Sequence, residues 1–434
     1  FNEVIKMVDR TIVYDYISRV EGQGSLEVTI SKGKVKDAKL EIFEAPRFFE
    51  AFLRGRKALE LPELTSRICG ICPIAHVITA AKAVENALEI SLDERTIALR
   101  KALALSGIMQ SHALHIYFLA APDFLGYPSA IAASKDLLDV VKRGFRLKRI
   151  ANMISEYIGG RAVHPVTLTV GGFTRSPLGE KLDEIVKALD SAIPDALETV
   201  NLVSGFKYPE FEPDHVNIAL SDNDGYAITE GSARTNSGEY FNGNDYRKYV
   251  SEEQVPYSNT KRSMFKGNTP FEVGPIARFN INYDSLCDRA KEAAEKVGLK
   301  PPVKNPFKST IVRAVEIIQA IEEMRNILKD GVKVPPPRKT KLRQGIGAAL
   351  TEAPRGLLYH SYVIDRDGNV SKADIVTPTA HNSWRIERDV FEIVPSVVDL
   401  DDNSLRGLLG MLVRAYDPCI SCSVHAFTVR LIRK

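Results

Sequence analysis

The stretches Arg67-Ile68-Cys69-Gly70-Ile71-Cys72-Pro73-Ile74-Ala75-His76 and Asp417-Pro418-Cys419-Ile420-Ser421-Cys422-Ser423-Val424-His425 each carry a Cys-x-x-Cys pair with a histidine three or four residues beyond it. Thiolates at this spacing chelate one soft or borderline metal. Two such pairs supply four sulfurs, a set that suits tetrahedral zinc, an iron-sulfur cluster or thiolate-bound nickel. A structural zinc site usually closes within one small loop-rich module, whereas these pairs are separated by more than three quarters of the chain. A site that ties both ends into one core has the character of an active centre. A zinc clamp made by the same four thiolates is the alternative. A redox dithiol within each pair fits less well, since neither lies in a βαβ pattern.

Outward from these motifs, 434 residues with 44% hydrophobic side chains are enough for a large buried core. Five cysteines cannot make a disulfide framework, and Cys287, outside both motifs, reads as a buried free thiol. The 58 basic and 55 acidic side chains are too evenly balanced for a nucleic-acid or anionic-membrane surface. The most apolar stretch, 102–133, is broken by Gln110, His112, His115, Pro122 and Asp123. It falls short of the ~18 apolar residues a span requires, so no membrane span is expected. No secretory signal is expected in 1–10.

Leu26, Val28 and Ile30, then Val35, Ala38, Leu40 and Ile42, alternate with polar residues around Lys32-Gly33-Lys34 and predict a β-hairpin. Helical spacing predicts helices over 76–88, 93–119, 135–158 and 178–203, punctuated or kinked by Pro165, Pro177 and Pro194, and again over 284–297, 309–328 and 403–414. Strands are predicted within 356–376, around Asp365-Arg366-Asp367-Gly368. The Gly/Asn-rich stretch 221–268 reads as an irregular surface insertion, and Val334-Pro335-Pro336-Pro337 as an extended linker. The expected fold class is mainly α with small β elements at both ends of the chain (α+β). It divides into a β-containing segment over 1–68, a helical core over 69–330 and a β/α segment over 338–434.

Both cysteine motifs resemble the nickel-binding motifs of the large subunit of [NiFe]-hydrogenases. The similarity extends to Arg19-Val20-Glu21-Gly22, Pro46-Arg47-Phe48-Phe49-Glu50, Gly160-Arg161-Ala162-Val163-His164-Pro165, Val273-Gly274-Pro275-Ile276-Ala277-Arg278, Glu352-Ala353-Pro354-Arg355-Gly356 and Pro378-Thr379-Ala380-His381-Asn382. The spellings are most similar to the cytoplasmic NAD(P)-linked branch, which includes archaeal sulfhydrogenases. The resemblance implies a central long-helix bundle and reversible heterolytic cleavage of H2 at a Ni-Fe centre whose iron carries CO and cyanide.

It also implies residue roles. Cys69 and Cys419 would be terminal on nickel, and Cys72 and Cys422 would bridge to iron. Glu21 would relay the proton, against the plainer reading of an ion pair with Arg19 or a neighbouring surface base. Arg355 would hang over the vacant metal position, fixed by Asp417 alone, because Ser111 stands where well-studied uptake enzymes have a second aspartate. Pro354 and Thr379 would line the diatomic ligands, and His76 would donate near the metals. For His112, His115 and His164, satisfied core histidines are an equal reading. Glu50, His425 and the backbone carbonyl near Ile375 would hold a buried magnesium.

In the resembled family an endopeptidase removes everything beyond the last motif, so Ala426–Lys434 is expected to mark a precursor or a branch that keeps its tail. With no further cysteine set and no G-x-G-x-x-G loop, the chain is expected to pass electrons to an iron-sulfur small subunit and to flavin-containing NAD(P)-handling diaphorase subunits. The maturation endopeptidase and nickel chaperones complete the expected partners. The other functions consistent with these residues are a hydrogen sensor, a non-catalytic relative of the complex I subunit sharing this fold, and the zinc-clamped scaffold.

Overall fold

In the computed structural model, which describes residues 9–338 and 341–424, a three-stranded antiparallel sheet comes first: β1 (Arg10–Tyr14), β2 (Gly24–Ser31) and β3 (Lys34–Ile42), in that order. The predicted hairpin is β2–β3. Lys32 and Gly33 take φ of 51° and 72°, the left-handed pair that a two-residue hairpin turn requires. Leu26, Val28, Ile30, Leu40 and Ile42 form its buried face and pack with Leu405, Leu409 and Leu412 from near the other end of the chain.

Five helices dominate the middle: α1 (Pro73–Leu88), α2 (Glu94–Leu114), α3 (Leu138–Gly159), α4 (Leu182–Ser204) and α5 (Ser309–Lys329). The last four pack as a bundle around Leu103, Leu147, Leu189 and Ile317. Asp93 caps α2 by accepting the Thr96 N–H at 2.9 Å. Buried side chains surround α2 and α5 on nearly all sides, as in the centre of a large core. Beyond Leu114 the helix widens into a π turn, His115–Ala120. Pro194 lies inside α4 and does not end it.

The stretch 221–268 corrects the expectation of an irregular surface insertion. β4 (Val216–Ser221), β5 (Ser232–Thr235) and β6 (Tyr240–Phe241) form one sheet with a later strand, and β7 (Val250–Gln254) pairs with β8 (Lys261–Phe265). The later strand, β9 (Phe271–Glu272), joins β4 in parallel. Tyr226, Phe241, Tyr246 and Phe265 are buried. Few large aromatics, each burying much area, replace the aliphatic period from which strands are usually read. Strands are therefore not confined to the chain's ends.

A second antiparallel sheet follows, β10 (Gly345–Ala353), β11 (Gly356–Ile364) and β12 (Val370–Val376), then α6 (Pro378–Ile393) and α7 (Asp402–Ala415). α1 packs on β10 and β11, and α6 lies between this region and β3. Helix outweighs strand, about 48% to 20%, in a mixed α+β fold with the expected helical bundle. Cys287 is only half-buried, at the residue before a short helix, Asp288–Lys296.

Candidate metal centre

Cys69 follows the tight turn Ser66–Ile68, and Cys72 stands directly before Pro73, the first residue of α1. Cys419 precedes and Cys422 lies within the single turn Ile420–Ser423. The fold brings these segments together so that the four sulfurs lie within 4.8 Å of one another. Cys69 Sγ is 3.4 Å from Cys419 Sγ, and Cys72 Sγ is 3.7 Å from Cys422 Sγ. All four residues are buried. The Ile71 and Cys72 N–H groups point at Cys69 Sγ, at 3.2 and 3.1 Å. Burial raises the cost of ionising this thiol, but hydrogen bonds from the other three cysteines and the Arg355 charge outweigh it and hold Cys69 well below the usual thiol range. Burial pushes Cys419 and Cys422 well above that range.

Glu21 reaches the same place by backbone pairing. The Ile420 N–H donates to the Glu21 carbonyl oxygen at 2.9 Å, a bridge that needs Gly22, because a Cβ there would lie 2.7 Å from Ile420 Cβ. Glu21 Oε2 accepts from Cys419 Sγ at 3.2 Å and from the Ser421 N–H at 3.1 Å, and the Ser421 hydroxyl bonds Oε1. The alternative partner, Arg19, is engaged elsewhere, with the Asp123 carboxylate and the Leu119 carbonyl.

Arg355 sits in the two-residue turn between β10 and β11. Its Nε donates to the Asp417 carbonyl oxygen at 2.7 Å and its Nη2 to Asp417 Oδ1 at 3.0 Å, while Nη1 is buried with no hydrogen-bond partner among the described residues. Burial disfavours the guanidinium charge, but Asp417 and the cysteine sulfurs more than compensate. Four clustered soft sulfur donors under an unsatisfied, permanently charged N–H fit a thiolate-bound metal whose own ligands accept hydrogen bonds.

The nickel-dependent hydrogenase model matches residues 47–143 and 221–425, more than half of the chain. The chain is 36% identical over 419 residues to sulfhydrogenase 1 subunit alpha of Pyrococcus furiosus, covering 95% of this chain and 97% of that one. It is 35% identical over 425 residues to sulfhydrogenase 2 subunit alpha of the same organism, covering 95% and 98%. Its fold matches a chain in the crystal structure of an NAD+-reducing [NiFe]-hydrogenase in the H2-reduced state, with a TM-score of 0.87, 24% identity, and coverage of 96% and 99%. The chain belongs to the nickel-dependent hydrogenase family.

Around the hydrogenase cysteines, Thr379 Oγ1 accepts the Cys419 N–H at 2.8 Å, leaving its hydroxyl proton free to donate elsewhere. The Pro354 carbonyl accepts from Arg278 Nη2 at 3.0 Å. Fully buried Arg278 also bonds the Ala353 carbonyl, Glu352 and, through two nitrogens, Glu316, so it braces the turn that presents Arg355. His76 Nδ1 shares a hydrogen bond with His360 Nε2 at 3.1 Å, and His360 is tied in turn to the Tyr362 hydroxyl. Glu50 and Ile375 are brought together, with the Ile375 N–H donating to Glu50 Oε1 at 2.8 Å. His425 and 426–434 lie outside the described residues.

The remaining histidines are held within the scaffold of this hydrogenase. His112 bonds Glu316 at 2.7 Å, and burial lowers its pKa to about 4. His115 donates from Nε2 to the Arg414 carbonyl, and burial lowers its pKa to about 3. His164 bonds the Ser66 carbonyl. Ser421, His360 and Arg313 were not among the expected neighbours of the site. Ser421 could have been suspected from its place inside the second Cys-x-x-Cys.

Proposed function

We propose that this chain, a [NiFe]-hydrogenase catalytic subunit, cleaves H2 reversibly and sends the electrons through an iron-sulfur small subunit to an NAD(P)-type acceptor in a cytoplasmic complex. The observation that carries it is the convergence of four buried thiols from both ends of the chain beneath Arg355. Cys69 and Cys419 would hold nickel terminally, and Cys72 and Cys422 would bridge it to iron. Bound there, a nickel-iron pair with CO and cyanide on iron would supply the chemistry that polarises and splits H2.

The side chains do the rest. Glu21 takes a proton from Cys419 Sγ and passes it outward; its support is the 3.2 Å contact and its half-buried position between the site and the surface. Arg355 orients its free N–H toward the reacting position, and Asp417 fixes it. Thr379 and Pro354 line the iron side, and His76, steadied by His360, donates nearby. Glu50, Ile375 and His425 are the place for a magnesium ion. Only Cys287 remains beyond the four cysteine ligands, so the clusters and the flavin belong to partner subunits, and the endopeptidase and nickel chaperones act before assembly.

The test is the complex purified with its iron-sulfur subunit under H2. Reduction of a viologen dye together with NAD+ or NADP+ is expected. Dye reduction without nucleotide reduction overturns the acceptor alone, and neither reduction in nickel-loaded protein overturns the catalytic reading.

A further inference from the structure

Asp417 stands between two guanidinium groups. Arg355 bonds its carbonyl oxygen and Oδ1. On the other side Arg313 Nη2 lies 3.9 Å from Oδ2, an oxygen with no hydrogen-bond partner among the described residues. Arg313 comes from the first turns of α5 and is fully buried. Its Nη1 donates to Ser309 Oγ at 2.8 Å and to the Ala415 carbonyl at 3.2 Å. Ala415 is two residues before Asp417, so one side chain braces both the carboxylate and the backbone of the segment that delivers Asp417 and Cys419. The brace has something to hold, because Asp417 takes φ of 52°, a left-handed conformation that residues with a Cβ avoid.

Charge counting points the same way. Two cations face one carboxylate. His115 is neutral, and Glu316, the next acid, is already doubly bonded to Arg278. Ser111, one helical turn before His115, carries no charge. Arg278 is itself shared between Glu316 and Glu352, so Arg313 and Arg355 together face Asp417 with Glu316 as the next carboxylate, and on the Arg355 side this charge meets the cysteine sulfurs, where negative charge gathers once they bind a metal.

We propose that Arg313 is a positioning residue for the hydrogen chemistry: it holds Asp417, and through it Arg355, over the four-cysteine site, and its charge helps to offset that of the thiolates. Among the described residues Arg355 hydrogen-bonds Asp417 alone, and Arg313 acts on Asp417 from its other side. The proposal rests on the [NiFe]-hydrogenase reading.

The test uses the holoenzyme complex, wild type against Arg313→Gln and Arg313→Lys, with nickel content, infrared spectra, midpoint potential and kinetics measured on each. Loss of the charge in Arg313→Gln should move the CO and cyanide bands to lower wavenumber, make the midpoint potential more negative, and lower turnover on the order of tenfold to a hundredfold with little change in KM for H2. Arg313→Lys keeps the charge, so bands and potential stay near wild type, but its ammonium cannot reach Ala415 and Asp417 together, and turnover falls less steeply. Unmoved bands and potential in Arg313→Gln overturn the proposal. If Arg313→Gln does not accumulate as loaded protein, wild-type turnover in Arg313→Lys overturns it. Absence of diatomic bands from the wild type itself removes the functional reading and this proposal together, whereas wild-type bands with an inert Arg313 remove this proposal alone.

Discussion

Glu21 meets the second cysteine motif through its side chain at Cys419 and Ser421 and through its carbonyl at Ile420, so its carboxylate is held rather than merely nearby. Glu21→Gln keeps size and hydrogen bonding but cannot take up a proton near neutral pH. H2 oxidation and H2/D2O exchange should collapse together while metal content is retained; normal exchange, followed by mass spectrometry, contradicts the relay. At Arg355 the planar fork is used on two sides of Asp417, and a lysine offers only one point of charge. Arg355→Lys should lower turnover about tenfold or more with nickel and iron near normal, and unchanged steady-state turnover would leave Arg355 a structural residue. The cysteines, Glu21, Arg355 and Asp417 were legible because each stands in a short motif whose spacing is local. Arg313 and His360 were not, since a single arginine inside an apolar helix and a histidine on a strand carry no local pattern, and only the tertiary fold brings them to the site.

The meeting of α1 with β10 sets where Cys72 stands, because Cys72 is the residue before α1 begins. β10 comes so close that a Cβ on Gly347 would lie 2.2 Å from the Ala83 carbonyl oxygen and 2.3 Å from the Ala87 nitrogen. Gly347→Ala should therefore push α1 away, lowering stability by about 2 to 3 kcal/mol and lowering nickel retention with it. Gly179→Ala, where a Cβ meets nothing within 4 Å, should do neither. Thermal unfolding and metal analysis of the two variants check this, and equal effects would sink it. The same closeness explains why β10 went unread in the sequence: Gly345-Ile346-Gly347-Ala348-Ala349 buries small residues against a helix and shows no alternation. The β2–β3 hairpin and the bundle helices were legible, because their periods match one buried face or a long apolar run. α6 escaped because Pro378 opens it and buried polar groups such as His381, Asn382, Arg385 and Asp389 fill its inner face.

Across the whole molecule, His215 ties three parts of the chain together. Its Nδ1 bonds Glu272 of β9 and its Nε2 bonds Asp389 of α6, both at 2.9 Å, and Asp389 also takes the hydroxyl of Tyr416, the neighbour of Asp417. Burial acts to strip the imidazolium of its proton, but the two carboxylates outweigh it and raise the pKa to about 9. A folded-state value above the ordinary 6.5 means that this clamp contributes fully below about pH 6.5 and is lost as pH rises through about 9. The size of the effect is about 3 kcal/mol. Thermal unfolding between pH 6 and pH 10 should show wild type losing its advantage over His215→Gln across that window, and parallel curves would contradict it. No helix among the described residues is long and apolar enough to cross a membrane, and the sequence's even charge fits the fold's reliance on buried ion pairs of this kind.

Whether the four cysteines hold a nickel-iron pair for hydrogen cleavage is decided by infrared spectroscopy of the anaerobically purified complex, with metal analysis of the same sample. Sharp bands from CO and cyanide bound to iron, with nickel and iron in equal amounts, are the expected result. Zinc bound to the same four thiolates, with no diatomic bands, would contradict it.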